Sequence, residues 1–178
     1  MNKTDAIKAL MQFDKKGRYV FTNSDLSKIF HDESKRALRA SIQRLVGTGL
    51  LVRVCNGVYV NSLSKSRDSH LLERLATAIR RGEYNYVSLE SALSEYGAIS
   101  QIPIDRLTVM TTGRKGEYKT PYGTIEFTHT KRTTVDILEN TENVGRPLRM
   151  ASIKAAYRDL KRVGRNTRLV EKDLINAD

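Results

Sequence analysis

The sequence predicts a mixed α+β fold in two parts: a small three-helix unit closed by a β-hairpin, then a second α+β unit. Three observations carry this. Apolar stripes at i, i+3, i+4 spacing alternate with short β-branched runs along the chain. Asn56-Gly57, set between two β-prone runs, is a strong hairpin signal. A polar, Ser-rich stretch from Asn61 to Arg67 reads as a linker and divides the chain into residues 1–62 and 63–178.

The elements follow in order. Thr4 can cap a first helix, with Asp5 in its first turn and Ile7, Leu10 and Met11 on one face. Lys15-Lys16-Gly17-Arg18 ends it, and Tyr19 to Thr22 is a brief strand candidate. Asn23 or Ser24 caps a second helix carrying Leu26, Ile29 and Phe30. After the turn His31 to Ser34, with Asp32 as N-cap, a third helix runs from about Glu33 to Val46. Leu38, Ile42 and Leu45 form its inward face. Gly47 and Gly49 bracket its end, and Leu50–Val54 and Val58–Val60 form the hairpin. Helix, strand, helix, helix, hairpin is the order of a winged helix-turn-helix.

In the second part, Asp68 to Arg81 reads as a helix with Leu71, Leu72, Leu75 and Ile79 inward. Tyr86-Val87 is a short strand, and Ser88 caps a helix from Leu89 to Tyr96 that Gly97 ends. Leu107–Thr112, Tyr118–Thr120 and Thr124–His129 are strand candidates, turned at Gly113–Gly116 and Pro121–Gly123. A last helix is expected over about Met150 to Val163, with a short one near Val170 to Ile175.

Composition narrows the function. The chain has 178 residues, 39% hydrophobic and 29% charged, as a soluble globular protein does. No apolar run approaches the roughly 18 residues of a membrane span, so no membrane partner is expected. The N-terminus has no signal-peptide pattern, and a single cysteine, Cys55, fits a reducing cytoplasm. The net charge of +11 is uneven. Residues 1–64 hold 11 Lys/Arg against 5 Asp/Glu, residues 65–143 hold 11 against 11, and residues 144–178 hold 9 against 4. A neutral middle between two basic ends points to two positive surfaces, whose usual partner is phosphate.

The first surface is the third helix. Arg36 and Arg39 can pair bidentately with guanine, and Gln43 with adenine. Ala40 leaves room for close approach and can meet a thymine methyl. Ser34, Lys35 and Arg44 are placed for phosphate, as is Arg18 in the first loop. Arg53 and Asn56 on the wing are expected to meet backbone or minor groove. A merely solvated helix face mixes signs, whereas acids here occur only at the start, Asp32 and Glu33. Double-stranded DNA is therefore the expected partner. The second surface is Lys154, Arg158, Lys161 and Arg165, within roughly 60° on a helical wheel, with Arg162 beside them.

Catalysis finds no pattern. His31, His70 and His129 are scattered without metal-ligand spacing, and neither a nucleophile elbow nor a phosphate loop occurs. Glu117, Glu126 and Lys131 lie on neighbouring strand candidates but lack the clustered carboxylates of two-metal chemistry. No enzyme activity, metal or cofactor is expected. The tyrosines at 84, 86, 96, 118, 122 and 157 read as core or interface residues rather than a base-stacking platform.

Three stretches resemble AbiEi-type antitoxins of bacterial type IV toxin–antitoxin (abortive infection) systems. They are the wing Leu50 to Val60, the run Tyr86 to Gly97 followed by Val109-Met110-Thr111-Thr112, and Gly123 to Phe127. Met150 to Leu160 departs from the acidic, alanine-rich helix of many relatives. The resemblance implies that residues 63–178 form a small α+β antitoxin domain. It also implies an autorepressor that binds inverted repeats at its own promoter and counteracts a nucleotidyltransferase-like toxin, without necessarily forming a stable complex. The alternative is an antitoxin that works mainly by masking its toxin directly, with DNA binding secondary.

Overall fold

In a computed structural model, which describes residues 1–100 and 104–177, the chain is mixed α+β and divides into two compact units, Met1–Leu71 and Leu72–Asp178.

The first unit opens with α1 (Lys3–Asp14), whose N-cap is Asn2, not Thr4. The Asn2 side chain accepts the Asp5 amide at 2.8 Å, so the helix starts two residues earlier. Strand β1 (Val20–Thr22) runs directly into α2 (Asn23–Ile29). Neither Asn23 nor Ser24 caps α2. Thr22 does, in a capping box with Asp25 that satisfies two end donors reciprocally. Helix α3 (Lys35–Gly47) begins at Ser34 rather than Asp32. Glu33 is diverted from the helix, because its carboxylate binds the chain's amino group and the Ser41 hydroxyl. Strands β2 (Leu51–Cys55) and β3 (Val58–Asn61) form the hairpin, and all three strands make an antiparallel sheet with β3 central.

The core of this unit explains why these residues make these elements. Ala6 and Leu10 of α1, Leu26 of α2, and Leu38, Ile42 and Leu45 of α3 close on Phe21, Leu51 and Tyr59 of the sheet. Full burial of a Leu- or Phe-sized side chain stabilises by about 1.5–3 kcal/mol, so this cluster dominates the unit's stability. The Ser-rich stretch after the hairpin is held down. Asp14 binds the Ser64 and Ser66 hydroxyls and the Lys65 amide, and Asp68 accepts from the Tyr19 hydroxyl at 2.9 Å. Burial raises the Asp14 pKa, but those hydrogen bonds outweigh it and hold the carboxyl at about 2.

The second unit is built on a six-stranded mixed sheet. Its strands are β4 (Asn85–Val87), β5 (Arg106–Thr111), β6 (Gly116–Thr120), β7 (Gly123–His129), β8 (Thr141–Glu142) and β9 (Arg149–Ala151), in the order β6-β7-β5-β4-β9-β8. The β5–β7 and β4–β9 pairs are parallel and the others antiparallel. Its helices are α4 (Leu71–Ile79), α5 (Leu89–Glu95), α6 (Thr134–Glu139), α7 (Ile153–Val163) and α8 (Lys172–Asn176). A 3-10 turn spans Thr167–Leu169.

Several expected boundaries shift. The helix expected over Asp68–Arg81 is only α4, because Asp68 is engaged by Tyr19. Met150 and Ala151 are strand rather than helix, paired between β4 and β8, and α7 starts only after the Ser152 cap. The last helix lies at Lys172–Asn176. Ser88 precedes α5 but makes no side-chain cap. Its hydroxyl instead donates to Asp159 at 2.8 Å.

That bond belongs to a polar centre in the apolar core of the second unit. Asp159 of α7 is fully buried and also accepts from the Tyr86 hydroxyl at 3.2 Å and from Arg132 at 3.3 Å. Burial and the neighbouring Asp159 charge push the Tyr86 phenol well above its ordinary range, so it remains a donor.

Candidate nucleic-acid interface

Helix α3 exists because its inward residues alternate at helical spacing. Leu38, Ser41, Ile42 and Leu45 are buried, Val46 is half-buried against the same core, and the remaining residues face outward. At about 100° per residue, Arg36 points most directly away from the core, with Ala40 and Gln43 to either side of it and Arg44 on one flank. On the other flank Lys35, Arg39 and Gln43 form an i, i+4, i+8 row. All six are exposed. Ser34 is spent as the cap, its hydroxyl accepting the Ala37 amide at 3.2 Å.

The row on the second flank borders a groove of about 510 Å³. Lys35, Arg39 and Gln43 line one wall, with Arg53 and Asn56 of the hairpin and Asn23 and Ser27 of α2 also lining it. Leu38, Ile42 and Tyr59 complete it. Among the described residues lining it there are three cations, four polar uncharged side chains besides Tyr59, and no carboxylate. The Arg53 guanidinium is aimed by two acceptors, the Asn56 side chain at 3.2 Å and the Cys55 carbonyl at 3.4 Å.

The hairpin is fastened to α2. The Asn23 amide donates to the Gly57 carbonyl at 2.9 Å. Gly57 has φ +75°, and a Cβ there would lie 2.9 Å from Asn23 Nδ2. The left-handed backbone favours glycine at this position, and any Cβ would also displace the Asn23 side-chain amide. The tip is therefore fixed relative to the helices by backbone contact.

The residues expected to touch DNA thus separate into groups. Lys35, Arg39, Gln43, Arg53 and Asn56 share the groove. Arg36 and Ala40 sit on the ridge of α3 beside it, and Arg44 lies on the far flank, bonded to Ser41 at 2.8 Å. Arg18 is not with them. Its guanidinium pairs with Asp25 at 2.8 Å and lies 5.8 Å from the Phe13 ring, a structural role at the α2 capping box. Asn23 and Ser27 are the lining residues that sequence reasoning missed. Asn23 was legible only as a helix cap, and nothing local marks Ser27.

The second basic row is largely consumed. Gly164, at φ +77°, ends α7, so Arg165 lies beyond the helix and off its wheel. Arg165 binds Glu90 at 2.7 Å and Glu126 at 2.5 Å. Burial alone would raise the Glu90 pKa, but hydrogen bonds from Arg165 and Asn166 hold it below the usual carboxylate range. Arg158 is half-buried and faces Asp136 at 3.8 Å. Arg162 donates to the His129 carbonyl at 3.0 Å, and Lys161 sits 4.7 Å over the Tyr157 ring. Lys154, Lys161 and Arg162 remain exposed. Asp159, in the same stretch of sequence, points into the core.

The carboxylates on the neighbouring strands are neutralised. Glu117 and Glu126 face each other across β6 and β7, and Arg106 binds them at 3.0 and 2.6 Å. Among the described residues no group of three or more His, Cys, Asp or Glu is placed to hold a metal ion. Nor is any helix among them long and apolar enough to cross a membrane.

The likeness to known proteins is one of fold. No protein-family model and no curated protein sequence matches the chain. Among solved structures it is similar to the RV2827C protein from Mycobacterium tuberculosis, with a TM-score of 0.59 at 15% identity. The match covers 88% of this chain and 60% of that one.

Proposed function

We infer that the first unit is a winged helix-turn-helix, with α3 as recognition helix and the β2–β3 hairpin as wing, and that it binds double-stranded DNA. The observation that supports this is the carboxylate-free groove where α3, α2 and the hairpin converge. Cations at a site without compensating acids leave an electrostatic deficit that a phosphate backbone fills. A protruding helix beside such a groove suits a duplex, whose major groove admits one helix between two charged ridges.

On the family resemblance, the protein is the antitoxin and transcriptional autorepressor of a type IV toxin–antitoxin operon. It acts in the cytoplasm and counteracts a nucleotidyltransferase-like toxin through its second unit. The test of the DNA role is fluorescence anisotropy on the duplex upstream of this protein's own gene, beside a scrambled duplex. An autorepressor should bind the first at least about 10³-fold more tightly. Equal affinities across a salt series would overturn that role. Co-expression with the neighbouring gene product tests the antitoxin role. Restored growth without co-purification supports indirect neutralisation. A complex that survives purification supports direct masking, and no relief of toxicity overturns both.

A further inference from the structure

We propose that the α2–α3–hairpin groove seats the sugar-phosphate ridge of one DNA strand, so that Arg39, Arg53 and Asn56 hold the backbone while Arg36 and Ala40 read the bases, with Gln43 at the boundary between the two. This rests on the DNA-binding reading above and divides that surface into two chemistries. It reassigns Arg39, which residue type alone marks as a base reader.

The argument is one of shape and charge. Base edges lie at the floor of the major groove and are reached by what protrudes from a protein. A concavity cannot reach them. It can receive only what protrudes from the duplex, and that is the backbone. Here the outermost line of α3 carries Arg36, with Ala40 about 40° to one side of it on the wheel and Gln43 about 20° to the other, the side that borders the groove. Arg39 borders the concavity instead.

The groove's donors suit an anionic, sequence-blind ligand. Lys35, Arg39 and Arg53 supply charge, and the Asn23, Asn56 and Gln43 amides supply neutral N–H groups. Arg53 is aimed in advance by Asn56 and Cys55, and the Asn23–Gly57 bond fixes the wall that carries it. Contacts to phosphate set register and orientation, and contacts to base edges set sequence. Placing the two sets on adjoining surfaces of one helix couples register to readout.

The experiment uses the full chain with Arg36→Gln, Arg39→Gln, Arg39→Lys and Arg53→Gln. Each binds the upstream and the scrambled duplex across a salt series. Arg39→Gln and Arg53→Gln should weaken both duplexes alike and flatten the salt slope by about 0.9 each, one phosphate apiece. Arg39→Lys keeps a point charge but loses the bidentate fork, so it should bind nearly as wild type. Arg36→Gln should lower the ratio between the duplexes roughly 5- to 150-fold, the loss of one bidentate base contact. Failure of Arg39→Lys to bind the upstream duplex, with the scrambled one unaffected, would overturn the assignment. If the wild type binds both duplexes equally, the autorepressor reading falls, yet the Arg39 and Arg53 slopes still decide the groove. Binding to neither duplex overturns both.

Discussion

Replacing Asp159 by alanine should destabilise the second unit by about 3–5 kcal/mol, the usual cost of removing one partner from a buried charged network. The magnitude can be built from the contacts. The Ser88 and Tyr86 hydroxyls, at 2.8 and 3.2 Å, would each lose their acceptor. An orphaned buried donor costs about 1–3 kcal/mol, and both residues are almost wholly enclosed. Hydroxyls can swing toward other acceptors, which places them near the lower end. Arg132 would lose its 3.3 Å partner but keep Asp136 at 3.1 Å, and its side chain is 22% exposed, so water would take part of the load. The cavity left by the carboxylate adds a smaller cost. Asp159→Asn should fall between wild type and alanine, since it keeps one oxygen but turns an N–H₂ toward three donors. The assay is urea unfolding with hydrogen exchange resolving the amides of residues 72–177. Both variants within about 0.5 kcal/mol of wild type would refute the reasoning, because no fully buried acceptor of three donors is that dispensable.

Other expectations are independent. Gly57→Ala should cost about 1–2 kcal/mol from the left-handed backbone alone, seen as a lower melting temperature of the first unit. A wild-type melting curve would show that the hairpin tip is not held as described. The Lys65 amide donates to Asp14 at 2.9 Å. Because the folded pKa of Asp14 is depressed, this clasp should be intact above about pH 4 and lost as the pH falls through about 2. Hydrogen exchange at Lys65 checks it, and Asp14→Ala, which removes both acceptor oxygens, should expose that amide at every pH. Glu90→Gln should cost about 1–3 kcal/mol by leaving the Arg165 and Asn166 donors short of a charged acceptor, with DNA affinity unchanged. A change in the salt slope of DNA binding in that variant would mean that Arg165 meets phosphate after all.

The first unit was legible because its signals are local. Leu38, Ile42 and Leu45 recur at helical spacing, and Asn56-Gly57 announces a turn before any tertiary contact is known. The exact caps were not, because Asn2, Thr22 and Ser34 compete with equally suitable neighbours and side-chain geometry decides among them. In the second unit, Met150-Ala151 reads as the start of the α7 pattern and is strand only because β4 and β8 flank it. Thr141-Glu142 is too short to carry a period, and it is strand by pairing alone. The site shows the same division. Residue type marked Arg36, Arg39, Arg53 and Asn56, whereas the groove depends on α2 coming beside the hairpin, and Ser27 has no local signature of that. Charge counting misled at Arg165, because a helical wheel assumes a helix and Gly164 ends it one residue before.

The placement of Arg36 and Ala40 has a consequence for how such a protein changes over generations. Both are exposed and neither belongs to the packed cluster under α3, so substitution there leaves the fold's stability almost untouched. Most new functions are paid for in stability, and a marginal domain has little to spend. Here the outer turns of one helix can vary while the groove walls and the Gly57 tether stay constant. On the DNA-binding function proposed above, divergent copies of the gene would acquire private operators through very few changes, each remaining well folded and each blind to the promoters of its siblings.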